Sequence, residues 1–275
     1  MTSASSTRRS YQLGPAMFEF CALAPAAAPK RSVRELPTEF VHLCEQHGLA
    51  GFVFERLGPV RAQIPAPTRA AFEAAALRTM ALARRQQKLT TRVLDALGAV
   101  EVVPVLLKGA GLAQRVYPEP LLRVSSDVDV LLEASSFDRA ATALESLGLR
   151  AKERPWAPER GDHHEVAFEG PAGLVELHLD LFRGFGRGGL RATDVLPRAR
   201  RDTCWGRPVR FLALEDEVLY LAVHAANHSF LRASWLVDLL LLIRREGARI
   251  DWHVVEQRAD AAHVRTAWHA AMAVA

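Results

Sequence analysis

The sequence has few of the features that mark secreted or membrane-spanning proteins. It holds only three cysteines, Cys21, Cys44 and Cys204, and they have no paired spacing. This excludes a disulfide framework or a cysteine zinc site as the basis of the fold, and it predicts reduced thiols in a cytoplasmic protein. No apolar run approaches the roughly 20 residues that cross a bilayer. Polar residues and Pro15 interrupt the apolar residues near the N-terminus, so we expect no signal peptide.

Strong charge and internal repeats are also missing. The formal net charge is +4, which permits phosphate-bearing partners without requiring a nucleic acid. Arg183–Arg191 is rich in glycine and arginine but lacks the interleaved aromatic residues of single-stranded RNA-binding segments. It therefore suggests a flexible linker, with an RNA contact or a mobile lid as alternatives. A hydrophobic content of 49% in 275 residues is enough for one large or two modest cores.

Hydrophobic periodicity divides the chain into three segments. Residues 1–98 form a helical segment, because helical spacing runs through Val33–Leu49 and Ala70–Leu97. Residues 99–182 alternate strands and helices, and Val166–Phe168 with Leu174–Leu181 suggests a hairpin. Residues 183–275 are a basic linker followed by helices, the last of which is predicted to run without interruption over Asp251–Ala275. The prediction is an α+β fold, in which a small mixed sheet is flanked by N-terminal and C-terminal helical segments.

A glycine turn follows the apolar strand predicted at Val102–Leu107. It consists of Lys108, Gly109, Ala110 and Gly111, and it precedes a predicted helix. Glycines let the backbone turn tightly and present N–H groups to a phosphate, and a helix N-terminus favours an anion. The spacing is not that of a Walker A loop. The turn is therefore either a phosphate-binding loop or a simple chain reversal.

Acidic residues mark two predicted strands after this turn. Asp127 and Asp129 are two apart, so they share one face of their strand, and carboxylates in that arrangement suit Mg²⁺ with substrate phosphates. On the strand Leu174–Leu181, Glu176, His178 and Asp180 alternate with apolar residues. Glu176 is the predicted third metal ligand and general base, with Asp180 as its rival, and His178 could orient a carboxylate or contact phosphate. Solvent-exposed strand positions are the alternative for all of them.

Several histidines provide weaker signals. His224 and His228 are four apart on a predicted helix, a spacing that can chelate a metal, but packed histidines near the core or cleft are the favoured interpretation. Asp238 lies in an apolar helix and therefore needs a partner, for which these histidines or a helix cap are candidates. His163 and His164 precede the hairpin, where they could touch substrate or simply lie in a surface loop. If all five converged, a histidine–aspartate metal hydrolase would be an alternative function.

Together these motifs resemble a known family. The similarity lies in the order of an apolar strand, Leu-Lys-Gly, Tyr117-Pro118, Arg123, Ser126-Asp127-x-Asp129, Leu147-Gly148-Leu149 and Val175-Glu176-Leu177-His178. The C-terminal Leu214–Glu217, His224–Ala226 and Trp235–Asp238 resemble the same family's helical tail. The chain from about Gly48 to Trp268 is similar to the uncharacterised bacterial nucleotidyltransferases of the polymerase-beta-like superfamily.

The resemblance implies a nucleotidyltransferase core that binds NTP as substrate. Asp127, Asp129 and Glu176 would hold Mg²⁺, with a two-metal site expected. The nucleotide-binding set would be Lys108, Gly109, Ala110, Gly111, Arg123 and Ser126. The family's glycine motif usually continues with serine or glycine, so Ala110 removes one phosphate contact. The expected reaction moves an NMP to a hydroxyl of a small molecule, a protein or a tRNA. A non-catalytic NTP-binding module is the alternative.

Overall fold

The computed structural model describes Cys21 and residues 33–152, 164–182 and 190–274. The first described part is entirely helical, as predicted. Helices α1 (Thr38–Gln46), α2 (Ala50–Leu57) and α3 (Ala66–Ala99) follow one another, with short 3₁₀ turns before α1 and between α2 and α3. Pro65, Pro67 and the 3₁₀ turn at Gly58–Gln63 separate α2 from α3, since proline is tolerated in a first helical turn but not in a helix interior.

A seven-stranded mixed sheet forms the centre of the molecule. Its strands are β1 (Val105–Leu106), β2 (Asp127–Leu131), β3 (Arg150–Ala151), β4 (Glu165–Gly170), β5 (Gly173–His178), β6 (Arg200–Cys204) and β7 (Arg207–Phe211). Their spatial order is β3-β4-β5-β2-β1-β7-β6. The pairs β2–β5 and β1–β7 are parallel, and the other neighbours are antiparallel. The α+β prediction is therefore confirmed.

The remaining helices lie between and after the strands. Helix α4 (Lys108–Val116) follows β1, α5 (Phe137–Ser146) follows β2, and the single turn α6 (Ala192–Val195) precedes β6. Helices α7 (Leu214–Asn227), α8 (Ala233–Glu246), α9 (Trp252–Ala261) and α10 (Arg265–Val274) follow the last strand. No helix in the described ranges is both long and apolar enough to span a membrane.

The structure corrects the sequence prediction at three places. Residues 200–211, assigned to a basic linker and its flank, form the β6–β7 hairpin at the edge of the sheet. The helix predicted to run without interruption over Asp251–Ala275 is two helices, because His263 takes a positive φ of 57° between them. The strand predicted at Leu174–Leu181 ends at His178. Residues 183–189 of the glycine- and arginine-rich segment lie outside the described residues.

The two faces of the sheet pack against different layers. Val128 and Val130 of β2 and Val175 of β5 join a core with α3 and α5. The residues between them on the same strands face the opposite side of the sheet. On that second face, Leu131 joins another core with α7 and α8. Because side chains alternate along a strand, Asp127, Asp129 and Glu176 must leave the sheet on this second face. The sheet thus positions the acids beneath the C-terminal helices.

Candidate active site

The parallel pairing of β2 and β5 brings the two central acids together. Asp129 is the register partner of Glu176, and Asp127 lies two residues earlier on the same face. Asp127 is half-buried, and its Oδ1 accepts a hydrogen bond from Ser125 Oγ at 3.1 Å. Asp129 is only 2% exposed. The structure therefore places all three predicted metal ligands on one patch of the sheet, as the alternation requires.

Asp129 is the centre of a buried charge network. Its Oδ1 lies 3.1 Å from Lys108 Nζ and 3.2 Å from His178 Nε2. Burial opposes ionisation of Asp129, but Lys108 and His178 outweigh it and hold the pKa of this carboxyl well below its usual range. His178 also loses solvation, yet Asp129 and Glu176 raise its pKa to about 9. The oxygen Oδ2 of Asp129 is buried and forms no hydrogen bond with any described residue.

Glu176 differs electrostatically from its neighbour. His178, whose Nε2 lies 3.7 Å from Glu176 Oε2, lowers the pKa of Glu176, but burial and the nearby Asp129 carboxylate act the other way, and the net effect raises the pKa. The neighbouring acids have the opposite effect on Lys108, because they favour its charged form. Burial lowers its pKa, whereas Tyr220 and the acids Asp129, Asp127 and Glu176 raise it above the ordinary value. Lys108 is therefore charged, and Glu176 accepts a proton more readily than Asp129 does.

These residues border a cleft of about 540 Å³ between the sheet and the C-terminal helices. The sheet side contributes Asp127, Glu176 and His178, with Lys108 beside them. Asp129 lies behind these residues and does not itself line the cleft. The opposite side, built from α7, α8 and the loop after β5, contributes an aromatic wall, which we define as Phe182, Tyr220, His224, His228 and Trp235. A larger groove of about 670 Å³, at the β6–β7 hairpin and the start of α5, is lined by none of the predicted site residues.

The glycine turn lies at the start of α4, as predicted. Gly109 has φ +49°, and a Cβ there would stand 2.8 Å from Ser125 Oγ, so only glycine fits. Gly111 packs against Phe211 and Leu106, where a Cβ would also be too close. Ala110 is 7% exposed and does not line the cleft. The turn therefore positions Ser125 and Lys108, while Ala110 and Gly111 face protein.

Arg123 and Asp238, predicted separately, form a buried pair. Nε and Nη2 of Arg123 donate to the two carboxylate oxygens of Asp238 at 3.1 and 2.7 Å, and the Tyr117 hydroxyl donates to Oδ1 at 2.7 Å. The prediction that Asp238 pairs with a histidine or a helix cap is therefore wrong. Arg123 borders the cleft, but its guanidinium is occupied by Asp238 and by the carbonyl of Val124. Its predicted contact with triphosphate stays a prediction.

The other candidates separate into two groups. Ser126 is exposed and lines the cleft, as do His164, His224 and His228. Asp180 lies beyond the end of β5, where its Oδ1 accepts from the backbone N–H groups of Leu181 and Ala192 at 2.9 Å each. Asp180 thus anchors the chain before α6, and its side chain is not among those that line the cleft.

The histidines of the aromatic wall pack with rings. The ring centroids of His224 and His228 are 4.7 Å apart, and each is 5.1 Å from that of Trp235. Burial, with smaller contributions from Lys108 and His228, lowers the pKa of His224 to about 2. Among the described residues, the three-residue groups that could hold a metal ion include neither His224, His228 nor Asp238, and His163 lies outside those residues. The arrangement needed for the metal hydrolase is therefore not found in the described part of the chain.

One carboxylate among the residues that line the cleft was not predicted from the sequence. Glu165 is the register partner of His178 across the β4–β5 hairpin, and it lines the cleft beside His164. The signal that could have identified it is the hairpin itself. Once Gly170 is paired with Gly173, counting back five residues on one strand and forward five on the other places Glu165 opposite His178.

Several solved structures are similar to this chain. The solution structure of the antibiotic-resistance factor ANT(2'')-Ia aligns at 16% identity and a TM-score of 0.48, covering 66% of this chain and 93% of that one. Lincomycin-bound LnuA, a lincosamide antibiotic adenylyltransferase, aligns at 17% identity and a TM-score of 0.39, covering 56% and 94%. A nucleotidyltransferase-like protein from Paracoccidioides brasiliensis aligns at 18% identity and a TM-score of 0.37, covering 58% and 76%.

Sequence comparison gives a family assignment. No curated protein matches the chain. The profile of a family described as uncharacterised nucleotidyltransferases matches residues 35–275, which is most of the sequence and includes every predicted site residue. The predicted resemblance to uncharacterised nucleotidyltransferases is thereby confirmed. The chain belongs to this nucleotidyltransferase family.

Proposed function

We propose that this nucleotidyltransferase moves an NMP from a magnesium-bound NTP to a hydroxyl group of an acceptor. The observation that carries the proposal is the pairing of Asp129 with Glu176 on adjacent strands, next to Asp127 and Lys108 at a cleft of about 540 Å³. Acids and a lysine in such a cleft suit a polyphosphate with its cation. The acceptor would be a small molecule, a protein or a tRNA.

The donor set fits a divalent cation. Asp129 Oδ2 is buried without a hydrogen-bond partner among the described residues, and a buried carboxylate oxygen normally has one. Asp129 and Glu176 each offer a carboxylate oxygen, and these two atoms lie within 4.8 Å of each other. Asp127 would complete the set from the cleft side. When bound, Mg²⁺ would neutralise charge on the phosphate oxygens.

The chain's own residues would bind and orient the substrate. Lys108 is held by Asp129 at the cleft, so its charged ammonium group can contact a phosphate oxygen as well. Ser126 is exposed at the same edge and offers a hydroxyl donor, whereas the Ser125 hydroxyl is directed to Asp127. Ser126 would supply the phosphate contact that Ala110 cannot make.

Glu176 would act as the general base. Its raised pKa makes it a better proton acceptor than the strongly ionised Asp129. The acceptor oxygen would form a bond to the α-phosphorus as its proton passes to Glu176. The bond between that phosphorus and the bridging oxygen would break, and pyrophosphate would leave with the electron pair.

The test incubates the protein with Mg²⁺, a cell lysate and one labelled nucleotide at a time, ATP, GTP, CTP or UTP. It measures pyrophosphate release and then identifies the acceptor that becomes labelled. We expect release by the wild type and loss in the Asp127→Asn/Asp129→Asn double variant. Asp127→Asn alone is the second variant, because Asp129 is also part of the buried network. The matched control is Asp138→Asn, an exposed position on α5 outside the cleft.

Two results would contradict this proposal. Full activity in the folded double variant would show that the acids are not needed. Nucleotide binding without pyrophosphate release, across many acceptors, would instead support the NTP-binding module.

A further inference from the structure

A second cluster of metal-ligating side chains lies beside the acids. It consists of His164, Glu165 and His178, which line the same cleft. The β4–β5 ladder holds two of them opposite each other, since Glu165 is the register partner of His178. The backbone carbonyl of His164 accepts hydrogen bonds from the backbone N–H groups of Leu179 and Asp180, at 2.7 and 3.2 Å. The backbone on both sides of the cluster is therefore fixed.

Two of the three ligand–ligand distances within this cluster match a tetrahedral site. Glu165 Oε2 lies 3.2 Å from His164 Nε2 and 3.4 Å from His178 Nδ1. Zinc ligands at about 2.0–2.1 Å in a tetrahedron stand about 3.3 Å from one another. One ligand atom from each of the three residues lies within 4.8 Å of the others. His164 is partly exposed, so its ring can move the remaining distance.

His178 provides an independent sign of a missing ligand. The residue is 3% exposed, and its Nδ1 is buried without a hydrogen bond to any described residue. Its other nitrogen, Nε2, is 3.2 Å from Asp129 Oδ1. A bound ion would displace the proton from Nδ1, whose lone pair would then face Glu165 while Nε2–H donates to Asp129 Oδ1. Histidines that bind metals are commonly oriented in this way by a carboxylate on the opposite nitrogen.

We propose that His164, Glu165 and His178 form a cation site separate from the Asp127–Asp129–Glu176 site, and that it takes a transition-metal ion such as Zn²⁺. Two imidazoles and one carboxylate suit zinc, whereas Mg²⁺ prefers oxygen ligands alone. Three protein ligands leave a fourth coordination position, and because all three residues line the cleft, that position is open to water or to an acceptor hydroxyl.

The experiment uses Co²⁺ as a spectroscopic probe on the full-length protein after removal of metals with a chelator. We expect one equivalent of Co²⁺ to produce the visible absorption of a tetrahedral site, and Zn²⁺ to displace it. Because loss of an outer partner alone weakens metal binding about 10–100-fold, loss of a ligand in His164→Ala or Glu165→Gln should weaken it by at least about 100-fold. Circular dichroism checks that both variants fold.

Three controls separate this site from its surroundings. Glu169→Gln removes an exposed acid from the same strand, His228→Ala removes a cleft histidine, and Asp127→Asn affects only the proposed magnesium site. All three should bind Co²⁺ as the wild type does. No tetrahedral absorption, binding unchanged in both folded ligand variants, or binding lost in His228→Ala would overturn the proposal. The titration needs no nucleotide, so failure of pyrophosphate release would leave its result intact.

Discussion

Asp129 and Glu176 are register partners on parallel strands, yet their surroundings move their pKa values in opposite directions. Lys108 and His178 stabilise the charge on Asp129, and that charge in turn makes ionisation of Glu176 less favourable. Two neighbouring carboxylates with separated pKa values are a common basis for dividing electrostatic and proton-transfer roles.

The first prediction concerns Glu176. If it is the general base, Glu176→Gln should lower kcat by about 10²–10⁴-fold, the usual contribution of a positioned base. It should also remove the acid limb from the pH profile of kcat, which is measured by pyrophosphate release. Glu169→Gln, an exposed strand carboxylate, is the matched control. An acid limb that persists in the variant would assign the proton transfer to another group.

The second prediction concerns the buried pair of Arg123 and Asp238. Replacing Asp238 with asparagine leaves a buried guanidinium without its counter-charge, and this typically costs about 3–5 kcal/mol of unfolding free energy. Urea denaturation measures the loss.

The control for this pair has the same bidentate geometry at the surface. Arg207 donates to Asp95 at 2.9 and 3.0 Å, but the two side chains are 37% and 56% exposed. Asp95→Asn should therefore cost much less unfolding free energy than Asp238→Asn, because solvent screens the exposed pair. Equal losses in the two variants would show that burial does not decide the effect.

The third prediction concerns Gly109. Gly109→Ala should destabilise the protein by about 1–2 kcal/mol because of its positive φ, and the added Cβ must displace Ser125 Oγ, which contacts Asp127. Activity should fall with it. In Gly98→Ala the Cβ enters open space on a helix, and stability should rise by up to about 1 kcal/mol. Denaturation of both variants and an activity assay make the comparison, and unchanged activity in folded Gly109→Ala would remove the turn from the site.

The fourth prediction concerns pH and His224. Its pKa is lowered from 6.5 to about 2 in the folded protein, mainly by burial. Below about pH 6.5 the unfolded chain therefore binds a proton at His224 that the folded protein does not bind. As the pH is lowered, this difference reduces the unfolding free energy by up to about 1.4 kcal/mol per pH unit.

Replacement of His224 by glutamine should remove this contribution. The unfolding free energy of His224→Gln should then fall less than that of the wild type between about pH 6.5 and about pH 5. Between about pH 7 and about pH 8, where free histidine is neutral, the difference between the two proteins should stay constant. Parallel curves across the acid range would contradict the lowered pKa.

Local patterns in the sequence determined much of this protein. Alternation along the strands was enough to place Asp127, Asp129 and Glu176 on one face, because the direction of a side chain on a strand depends only on its position. Helical periodicity predicted the N-terminal helices, and Gly109 marked the start of α4. The same local rules could not reveal the β6–β7 hairpin, whose polar strands lie at the edge of the sheet.

Only the tertiary structure decided the partners of these residues. Arg123 and Asp238 are 115 residues apart, and their pairing depends on how α8 packs against the chain before β2. The meeting of His164 and Glu165 with His178 depends on strand register, and the approach of His224 to Lys108 depends on the placement of α7. Contacts of this kind arise because burial brings distant segments together and then requires each buried charge to find a partner. The acids could therefore be predicted from sequence, whereas the groups that determine their ionisation could not.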